Sequence, residues 1–202
     1  MPKKTFFALS AKKRYKIVEA AKDEFRRVTL DKALISNIVR NAGISRGSFY
    51  QYFDDIDDLF FHIVECFVMY QEGEFLKLLR SFDGDVFETM IEFFRITFDE
   101  FFHEKQAMLL KNLHHSMSDK LEQVRIIKLK RTEVIDEIIA TVNTDLLVSN
   151  DYESTKRVIH ILRDIRKRVI NLVFLNNWNK EYAVEELKKY FDLIRSGIER
   201  EK

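Results

Sequence analysis

Residues 42–53 concentrate side chains that can bind another molecule. They read Ala-Gly-Ile-Ser-Arg-Gly-Ser-Phe-Tyr-Gln-Tyr-Phe, with hydroxyls, one guanidinium, an amide and two phenols beside a glycine. Groups of this kind hydrogen-bond to the phosphates and the base edges of nucleic acids. Phe49 and Phe53 are four residues apart and share a helix face, so we expect both to be core anchors. The residues between them then lie on other faces; the alternative is that all of these aromatic rings are core.

Patterns that would indicate catalysis or metal binding are incomplete. His62 and Cys66 are four residues apart, but two ligands do not make a metal site. The His103-Glu104 pair lacks the second histidine of a zinc-protease helix. The sequence has no glycine-rich phosphate loop and no Ser-x-x-Lys or Gly-x-Ser-x-Gly pattern. We therefore predict a protein that is not an enzyme, with no catalytic residues, no metal and no cofactor.

The composition favours a helical, cytoplasmic protein. Only one proline and five glycines occur in 202 residues, so few positions can interrupt a helix. The single cysteine excludes an internal disulfide and fits a reducing compartment. No apolar run approaches the length of a membrane span, and the apolar part of the N-terminal segment is too short for a signal peptide. We expect no membrane partner.

The charge is unevenly distributed. Residues 1–53 contain twelve Lys or Arg and four Asp or Glu, whereas residues 54–104 contain three basic and fourteen acidic residues. A basic end on an otherwise acidic or neutral chain indicates a local contact with a polyanion. A merely solvated lysine-rich segment is the alternative.

Capping residues divide the N-terminal part into short helices. Ser10 has the chemistry to cap a first helix that ends near Arg27. A second helix, 34–42, ends at Gly43, which can adopt the positive φ that a helix C terminus favours. Ser45 can cap a third helix that ends near Phe53. Two short helices joined by a glycine turn predict a helix-turn-helix, whose second helix presents its first residues to the major groove.

The apolar pattern and the breaks in the remainder of the sequence predict long helices. Their expected ranges are 56–82, 86–103, 104–116, 119–147, 153–177 and 180–200. Acidic residues in the first turn of the 56–82 helix suit the positive end of its dipole. The fold class is therefore all-α.

The N-terminal part resembles a known family. Residues 10–60 include LISNIVRNAGISRGSFYQYFDDIDDLF, which is similar to the DNA-binding domain of the TetR family of bacterial transcriptional regulators. The similarity lies in Ala-Gly-Ile-Ser, in Gly-x-Phe-Tyr-x-Tyr-Phe and in the acidic pair before Leu59, and it covers about a quarter of the chain. It implies a homodimer that binds a palindromic double-stranded DNA operator, usually as a repressor. A small-molecule effector in the C-terminal domain then spreads the two DNA-binding heads.

The resemblance implies a division into residues 1–55 and 56–202, with the helix-turn-helix at 34–53. The implied DNA contacts are Ser36, Ser45, Arg46, Gly47, Ser48, Tyr50, Gln51 and Tyr52. Family members often carry a phosphate-binding lysine at the start of the next helix, where this chain has Ile56 among aspartates. Either that contact is absent, or the helix N-terminal amides supply it. Lys3, Lys4, Lys12, Lys13 and Arg14 could compensate as a basic arm; disorder of residues 1–9 is the alternative.

The central region is unusually aromatic and could line an apolar effector pocket. The predicted lining residues are Phe93, Phe94, Phe98, Phe101, Met108, Leu113 and Met117, although each could equally fill a plain core. The basic cluster at 163–168 could hold an anionic group of a ligand or lie exposed near a dimer rim. The effector is expected to be apolar or amphipathic, and its identity cannot be read from the sequence.

The last two helices carry broad apolar stripes that predict a dimer interface built as a four-helix bundle. The predicted interface residues are Ile165, Leu172, Val173, Tyr190, Phe191 and Ile194. The alternative is that both stripes pack inside the monomer. A different class of function, a helical protein-interaction scaffold that has lost DNA binding, is favoured by the acidic run 54–58 and opposed by the basic 1–53 segment.

Overall fold

The computed structural model describes residues 1–102, 104–117, 132–148 and 150–197. Every regular element in these ranges is helical, which confirms the predicted all-α class. The α-helices are α1 (Lys4–Phe7), α2 (Ala11–Arg27), α3 (Ile35–Ala42), α4 (Arg46–Tyr52), α5 (Ile56–Ser81), α6 (Val86–Phe102), α7 (Glu104–Met117), α8 (Thr132–Thr141), α9 (Tyr152–Asn176) and α10 (Lys180–Arg195). Short 3-10 turns lie at Leu30–Lys32 and Thr144–Leu146.

Contacts group the chain into two units. Unit 1 comprises Met1–Tyr70 and Phe101–Arg131, and unit 2 comprises Gln71–Glu100 and Thr132–Lys202. Each unit therefore draws on two separate stretches of sequence. The division at residue 55 that the resemblance implies stays a prediction.

The helix-turn-helix of unit 1 has the ends that its sequence predicts. Ser10 precedes α2 and accepts a hydrogen bond from the amide of Lys13. Gly43 follows α3 with a φ of 68°, a left-handed conformation, and its amide donates to the carbonyl of Arg40. The reversal after α3 therefore depends on a residue without a Cβ.

Helix α7 is part of the same core as the helix-turn-helix. Leu109 and Leu113 are buried together with Ile17, Ile38 and Phe49. The amide nitrogen of Asn112 donates to the carbonyls of Phe25 and Arg26, at 2.8 and 3.1 Å, where α2 ends. Two carbonyls that the C terminus of α2 leaves without intrahelical partners are thus satisfied by a residue more than eighty positions later in the sequence.

Helix α1 was not expected from the sequence. Phe6 is 1% exposed and packs against Phe53, with ring centroids 4.9 Å apart. The first residues therefore belong to the core of unit 1, and neither a free basic arm nor disorder describes them.

Helices α6 and α10 of unit 2 run antiparallel. Lys180 at the start of α10 pairs with Asp99 near the end of α6, with Nζ and Oδ2 2.6 Å apart. Arg195 at the end of α10 donates to both carboxylate oxygens of Asp85, just before α6, at 3.0 Å. Between these ion pairs the rings of Phe87 and Phe191 lie 5.9 Å apart. Polar contacts at both ends thus fix the register of an apolar contact between the helices.

The turn between α5 and α6 packs tightly within unit 2. Gly84 has a φ of 80°, and its carbonyl accepts a hydrogen bond from the amide of Asn143. A Cβ at this position would lie 2.5 Å from that amide nitrogen and 2.6 Å from the carbonyl oxygen of Thr141. The turn therefore requires glycine for both its conformation and its contacts.

The predicted 119–147 helix lies partly outside the described residues. Its described part is α8, which ends at Thr141 because Asn143 starts a 3-10 turn by accepting a hydrogen bond from the amide of Asp145. The last predicted helix ends at Arg195 rather than near residue 200, and Gly197 follows it with a φ of 74°. Within the described ranges, none of the helices combines the length and the apolar character that spanning a membrane requires.

Candidate nucleic-acid interface

The N terminus of α4 is built by two serines. The hydroxyl oxygen of Ser45 accepts a hydrogen bond from the amide of Ser48 at 3.0 Å and lies 2.9 Å from the Ser48 hydroxyl. Ser45 is thus the N-cap of α4, as its sequence position predicted. Capping uses one lone pair of this hydroxyl and leaves further capacity for a ligand.

Arg46 and Tyr50 form a pair on the outer face of α4. They are separated by one helical turn, and the Nη2 atom of Arg46 lies 3.4 Å from the Tyr50 hydroxyl. The guanidinium carbon is 5.9 Å from the centroid of the Tyr50 ring, and both side chains are exposed. This arrangement presents a guanidinium and a phenol side by side, a combination suited to phosphates and base edges.

Gly47 lies between them on an open surface. A Cβ built there would meet only the Ser45 hydroxyl oxygen, at an ordinary 3.8 Å. The fold itself therefore does not require glycine at this position. A missing side chain in the first turn of an exposed helix is what close approach to a DNA backbone needs.

Most of the predicted DNA contacts are accessible to solvent in unit 1. Ser36, Ser45, Arg46, Gly47, Tyr50 and Gln51 are exposed, and Ser48 is half-buried. Tyr52 differs, because it is only 6% exposed and its ring centroid lies 6.5 Å from that of Phe6. The placement of Tyr52 on an outer face is therefore wrong. Residue 52 follows Phe49 by three positions, and this spacing puts it beside the buried face of the helix.

Glu24 holds the start of α3, a role that is not among those predicted from the sequence. Its buried carboxylate accepts hydrogen bonds from the amide of Leu34 at 2.9 Å, from the Asn37 side chain at 3.1 Å, and from Arg27 at 2.7 Å. Burial raises the pKa of Glu24, but the hydrogen bonds from these three residues outweigh it and hold the pKa below its usual value. The carboxylate thus fixes α3 against α2. In the sequence this role is indicated only by an acidic residue beside the apolar face of α2.

The N-terminal segment, residues 1–7, holds the opposite end of α4. The amide of Lys3 donates to the carbonyl of Tyr52 at 2.8 Å, and the Lys3 ammonium donates to the carbonyl of Tyr50 at 2.9 Å. Thr5 donates to the carbonyl of Gln51. Three consecutive carbonyls that a helix C terminus leaves without intrahelical partners are therefore satisfied by this segment.

These contacts give some cations of the predicted basic arm a structural role and leave others exposed. Lys3 also pairs with Asp54 at 2.7 Å, and Arg14 donates to the carbonyls of Phe7 and Leu9 at 2.8 and 2.6 Å. These two cations thus have structural roles. Lys4, Lys12 and Lys13 are exposed and remain candidates for contacts with phosphates.

The aspartates that replace the expected lysine cap the next helix. Asp55 accepts a hydrogen bond from the amide of Asp58 at 2.8 Å, and Asp58 accepts one from the amide of Asp54 at 3.0 Å. Carboxylates therefore occupy the N terminus of α5. The alternative in which its amides bind a phosphate is unsupported, because the site already holds negative charge.

The predicted pocket residues come from both units. Phe93, Phe94 and Phe98 are buried on the part of α6 that belongs to unit 2. Leu113 is buried in the core of unit 1, and Met108 of unit 1 is 47% exposed, so the pocket assignment of these residues stays a prediction. The side chains of Phe101 and Met117 lie outside the described residues.

Two predicted interface residues are core residues of their own subunit. Val173 is 3% exposed and Phe191 is 1% exposed, both within unit 2. Their assignment to a dimer interface is therefore wrong. The other members of that set, Ile165, Leu172, Tyr190 and Ile194, are half-buried.

The candidate metal pair is not extended into a site. The Sγ atom of Cys66 lies 3.8 Å from both ring nitrogens of His62, a contact between two residues one turn apart on α5. Among the described residues, no group of three or more His, Cys, Asp or Glu side chains is arranged to hold a metal ion.

Two family models match the chain. One describes bacterial regulatory proteins of the tetR family and matches residues 17–63; the other describes a tetracyclin repressor-like C-terminal domain and matches residues 85–198. The second match covers more than half of the chain. The chain therefore belongs to the TetR family of bacterial transcriptional regulators, and it is a regulator that carries the family's DNA-binding helix-turn-helix.

One similar solved structure supports this fold, and a second is also similar in sequence coverage. A TetR transcriptional regulator from Rhodococcus sp. RHA1 is 12% identical, with a TM-score of 0.53 over 94% of this chain and 99% of that chain. A TetR family transcriptional regulator from Chloroflexus aurantiacus J-10-FL is 20% identical, with a TM-score of 0.46 over 97% of this chain and 95% of that chain. The search of curated proteins gave no match.

Proposed function

We propose that this regulator is a repressor that binds a palindromic operator as a homodimer and is released by a small apolar or amphipathic effector. Its proposed location is the cytoplasm, which contains the chromosome. The family supports DNA binding, dimerisation and a small-molecule ligand in general terms. The observation that carries the proposal is the outer face of α4, where Arg46, Gly47 and Tyr50 are exposed on a helix held at both ends.

The holding contacts matter because a recognition helix must keep its orientation to read bases. The Ser45 cap fixes the N terminus of α4, and the N-terminal segment fixes its C terminus. Glu24 in turn holds α3. A rigid helix loses little conformational freedom on binding, which favours affinity.

The homodimer is supported by an apolar stripe on α9. Ile161, Ile165, Leu172 and Leu175 recur at spacings of four, seven and three, and Ile161 and Leu175 are 50% and 77% exposed. Such a stripe on a helix surface indicates packing against another helix. The same stripe on a second copy of this chain would cover it. The resulting dimer has a two-fold axis, which matches the symmetry of a palindromic DNA site.

The effector proposal is supported by the aromatic interior of unit 2. Phe75 and Phe93 lie edge to face with centroids 5.4 Å apart, and Phe94 and Phe98 are 5.8 Å apart. Aromatic walls with few polar groups are typical of small-molecule sites.

The proposal is tested by a mobility shift with the DNA upstream of the protein's own gene. Arg46→Ala removes a guanidinium from the outer face of α4, and we expect operator binding to weaken by roughly 1–3 kcal/mol. Arg157→Ala, which removes an exposed arginine of α9, is the matched control and should bind as the wild type does. Equal binding by all three proteins would contradict the placement of the interface.

Salt dependence separates this proposal from a scaffold that has lost DNA binding. Each neutralised phosphate contributes a slope of about −0.9 to the plot of log affinity against log salt concentration. A dimer with several phosphate contacts on each head should show a slope steeper than about −4. A flat dependence, or no binding at low salt, would favour the scaffold that the acidic residues 54–58 suggest.

A further inference from the structure

A group of charged and aromatic side chains meets inside unit 2. We define this guanidinium cluster as Glu72 and Phe75 from α5, Phe93 from α6, and Arg163 and Arg166 from α9. The Cζ atom of Arg163 lies 5.8 Å from the centroid of Phe75, and that of Arg166 lies 5.0 Å from the centroid of Phe93. Three helices thus bring two cations against two aromatic rings.

One cation of the cluster has a carboxylate partner. The Nη2 atom of Arg163 lies 2.6 Å from the Oε2 atom of Glu72, and Glu72 is only 7% exposed. The two charges balance each other in a part-buried position, which is the normal arrangement for ionised side chains inside a protein.

The second cation lacks such a partner. The Nε and Nη1 atoms of Arg166 are both buried and make no hydrogen bond within the described part of the chain. Burial, and to a smaller extent the positive charge of Arg163, lower the pKa of Arg166 to about 10, against the opposing effect of Glu72. The guanidinium therefore remains charged at neutral pH. Buried charged donors without acceptors are rare in folded proteins and mark a place where a ligand can supply them.

The chemistry of the cluster defines the missing group. Planar guanidinium donors match the oxygens of a carboxylate or a phosphate. Arg163, Arg166 and Glu72 carry one net positive charge between them, and a monovalent carboxylate matches this sum more closely than a doubly charged phosphate does. The rings of Phe75 and Phe93 beside the cations suit an apolar body attached to the anionic group.

We propose that the effector is an amphipathic monocarboxylate whose carboxylate pairs with Arg166. This inference rests on the proposed effector-controlled regulator and names the chemical class of its ligand. The apolar body then packs against the rings of Phe75 and Phe93, next to the Arg163–Glu72 ion pair. A carboxylate from a second copy of the chain is the competing partner for Arg166, since α9 also carries the exposed stripe.

Binding is measured on the full-length protein by calorimetry and thermal unfolding. The probes are decanoate, 4-phenylbutyrate and indole-3-acetate, each compared with the neutral alcohol of the same body. We expect at least one carboxylate to bind and to raise the melting temperature, with its alcohol about tenfold weaker or more, since charge-assisted hydrogen bonds are lost. If none of the three acids binds at millimolar concentration, or if an acid and its alcohol bind equally, the inference is wrong.

Arg166→Met keeps much of the side-chain length and removes the charge. We expect this variant to lose the preference for carboxylates and, without ligand, to melt at a higher temperature than the wild type, because an unpartnered buried charge is gone. Arg168→Met, which changes an exposed arginine of the same helix, is the matched control and should leave both properties unchanged. An Arg166→Met protein that keeps the carboxylate preference contradicts the proposal.

Two further measurements separate the possible failures. Sedimentation of Arg166→Met shows whether a partner subunit supplies the carboxylate: a variant that turns monomeric while the acids have no effect overturns the effector assignment. Operator binding without ligand is measured in parallel. A wild type that binds the operator but no acid disproves only this inference, whereas a wild type that binds an acid but no DNA disproves the proposed repressor.

Discussion

At Gly47 the fold tolerates a side chain, whereas the proposed approach of DNA does not. Its helical backbone and open surroundings leave room for a Cβ, since the nearest atom lies 3.8 Å away. Gly47→Ala should therefore stabilise the protein by up to about 1 kcal/mol through helix propensity. The added methyl group stands on the face that we propose to approach DNA, so operator affinity should fall. Chemical denaturation and mobility shift measure the two effects.

A second helical glycine supplies the control. Gly73 on α5 also has no atom within 4 Å of a built Cβ, and it lies in unit 2. Gly73→Ala should give a similar gain in stability and unchanged operator affinity. If Gly47→Ala binds the operator as tightly as Gly73→Ala does, DNA does not approach the backbone at residue 47.

Glu24 makes the stability of unit 1 depend on pH. Replacing its carboxylate by an amide in Glu24→Gln should cost about 1–3 kcal/mol at neutral pH, because several charged hydrogen bonds are lost at a buried site. Glu19→Gln on the same helix breaks a half-exposed pair with Lys22 and should cost no more than about 1 kcal/mol. Denaturant unfolding of both variants checks the difference.

The sign of the pH effect follows from the lowered pKa of Glu24 in the folded state. The stabilisation is complete above about pH 4.3, the ordinary pKa of glutamate, and is lost as the pH falls through the lower folded-state value. The gap between wild type and Glu24→Gln should thus narrow on acidification below about pH 4. A gap that stays constant into strong acid would show that the charge of Glu24 is not responsible.

Residues 49–53 show what the sequence could and could not predict at this scale. The spacing of Phe49 and Phe53 predicted their burial, and both are 0% exposed. Tyr52 has the same composition of ring and hydroxyl as exposed Tyr50, so its residue type carries no signal. Its position three residues after Phe49 places it beside the buried face of the helix, and the ring of Phe6, 46 positions earlier, completes its burial.

At the scale of elements, the N-terminal segment acts on α4 through Lys3. Lys3→Met removes the ammonium that donates to the carbonyl of Tyr50 and pairs with Asp54. We expect the C terminus of α4 to loosen and operator affinity to fall several-fold, in line with a loss of about 1 kcal/mol for one hydrogen bond. Fluorescence anisotropy with operator DNA measures the change.

Lys4→Met is the control for Lys3→Met, because it removes the same charge from an exposed neighbour in α1. Both variants lower the positive potential of the segment equally, so only the contact with α4 differs. A larger loss for Lys4→Met than for Lys3→Met would mean that the segment works by touching DNA rather than by holding α4.

Helices with capping residues were predictable, and α1 was not. Ser10, Gly43 and Ser45 each mark a helix end in the sequence and in the structure. Helix α1 has four residues, which is too short to show the 3.6-residue periodicity of apolar positions. It forms because Phe6 has a core to enter and because the carbonyls of α4 need donors, both of which are tertiary causes.

For the whole molecule, the exposed stripe on α9 predicts how two copies meet. Leu175→Lys places a charge on a residue that is 77% exposed in one subunit, so the fold should tolerate it. We expect a monomer that keeps its helicity and binds the operator more weakly, since two heads no longer act together. Sedimentation and circular dichroism provide the measurements.

The control for Leu175→Lys is Leu146→Lys, which alters a residue of similar type that is 56% exposed in a 3-10 turn of unit 2. It should remain dimeric. Val173→Asp should instead destabilise the subunit itself, because Val173 is buried. A dimer that survives Leu175→Lys places the interface elsewhere.

The sequence predicted that α9 and α10 carry more apolar surface than packing inside one subunit requires. It did not predict which of these apolar residues pack inside the subunit and which remain exposed. Val173 and Leu175 both belong to the apolar stripe of α9, and the predicted interface contains Val173 but not Leu175. Burial separates them, since Val173 faces the interior of unit 2 and Leu175 faces outward. The periodicity of apolar residues predicts how wide the apolar surface of a helix is. Which part of that surface packs inside the subunit and which part stays exposed depends on tertiary packing.

The contribution of α7 to unit 1 bears on how such regulators exchange their DNA specificity. Leu109 and Leu113 complete the core beneath the helix-turn-helix, and Asn112 caps α2 from a position far along the chain. A recombination event with a single crossover near residue 55 would therefore join a DNA-reading head to a foreign α7 and leave its core mismatched. We expect new operator preferences to arise in this lineage by substitutions on the exposed face of α4, which can change without repacking anything beneath it.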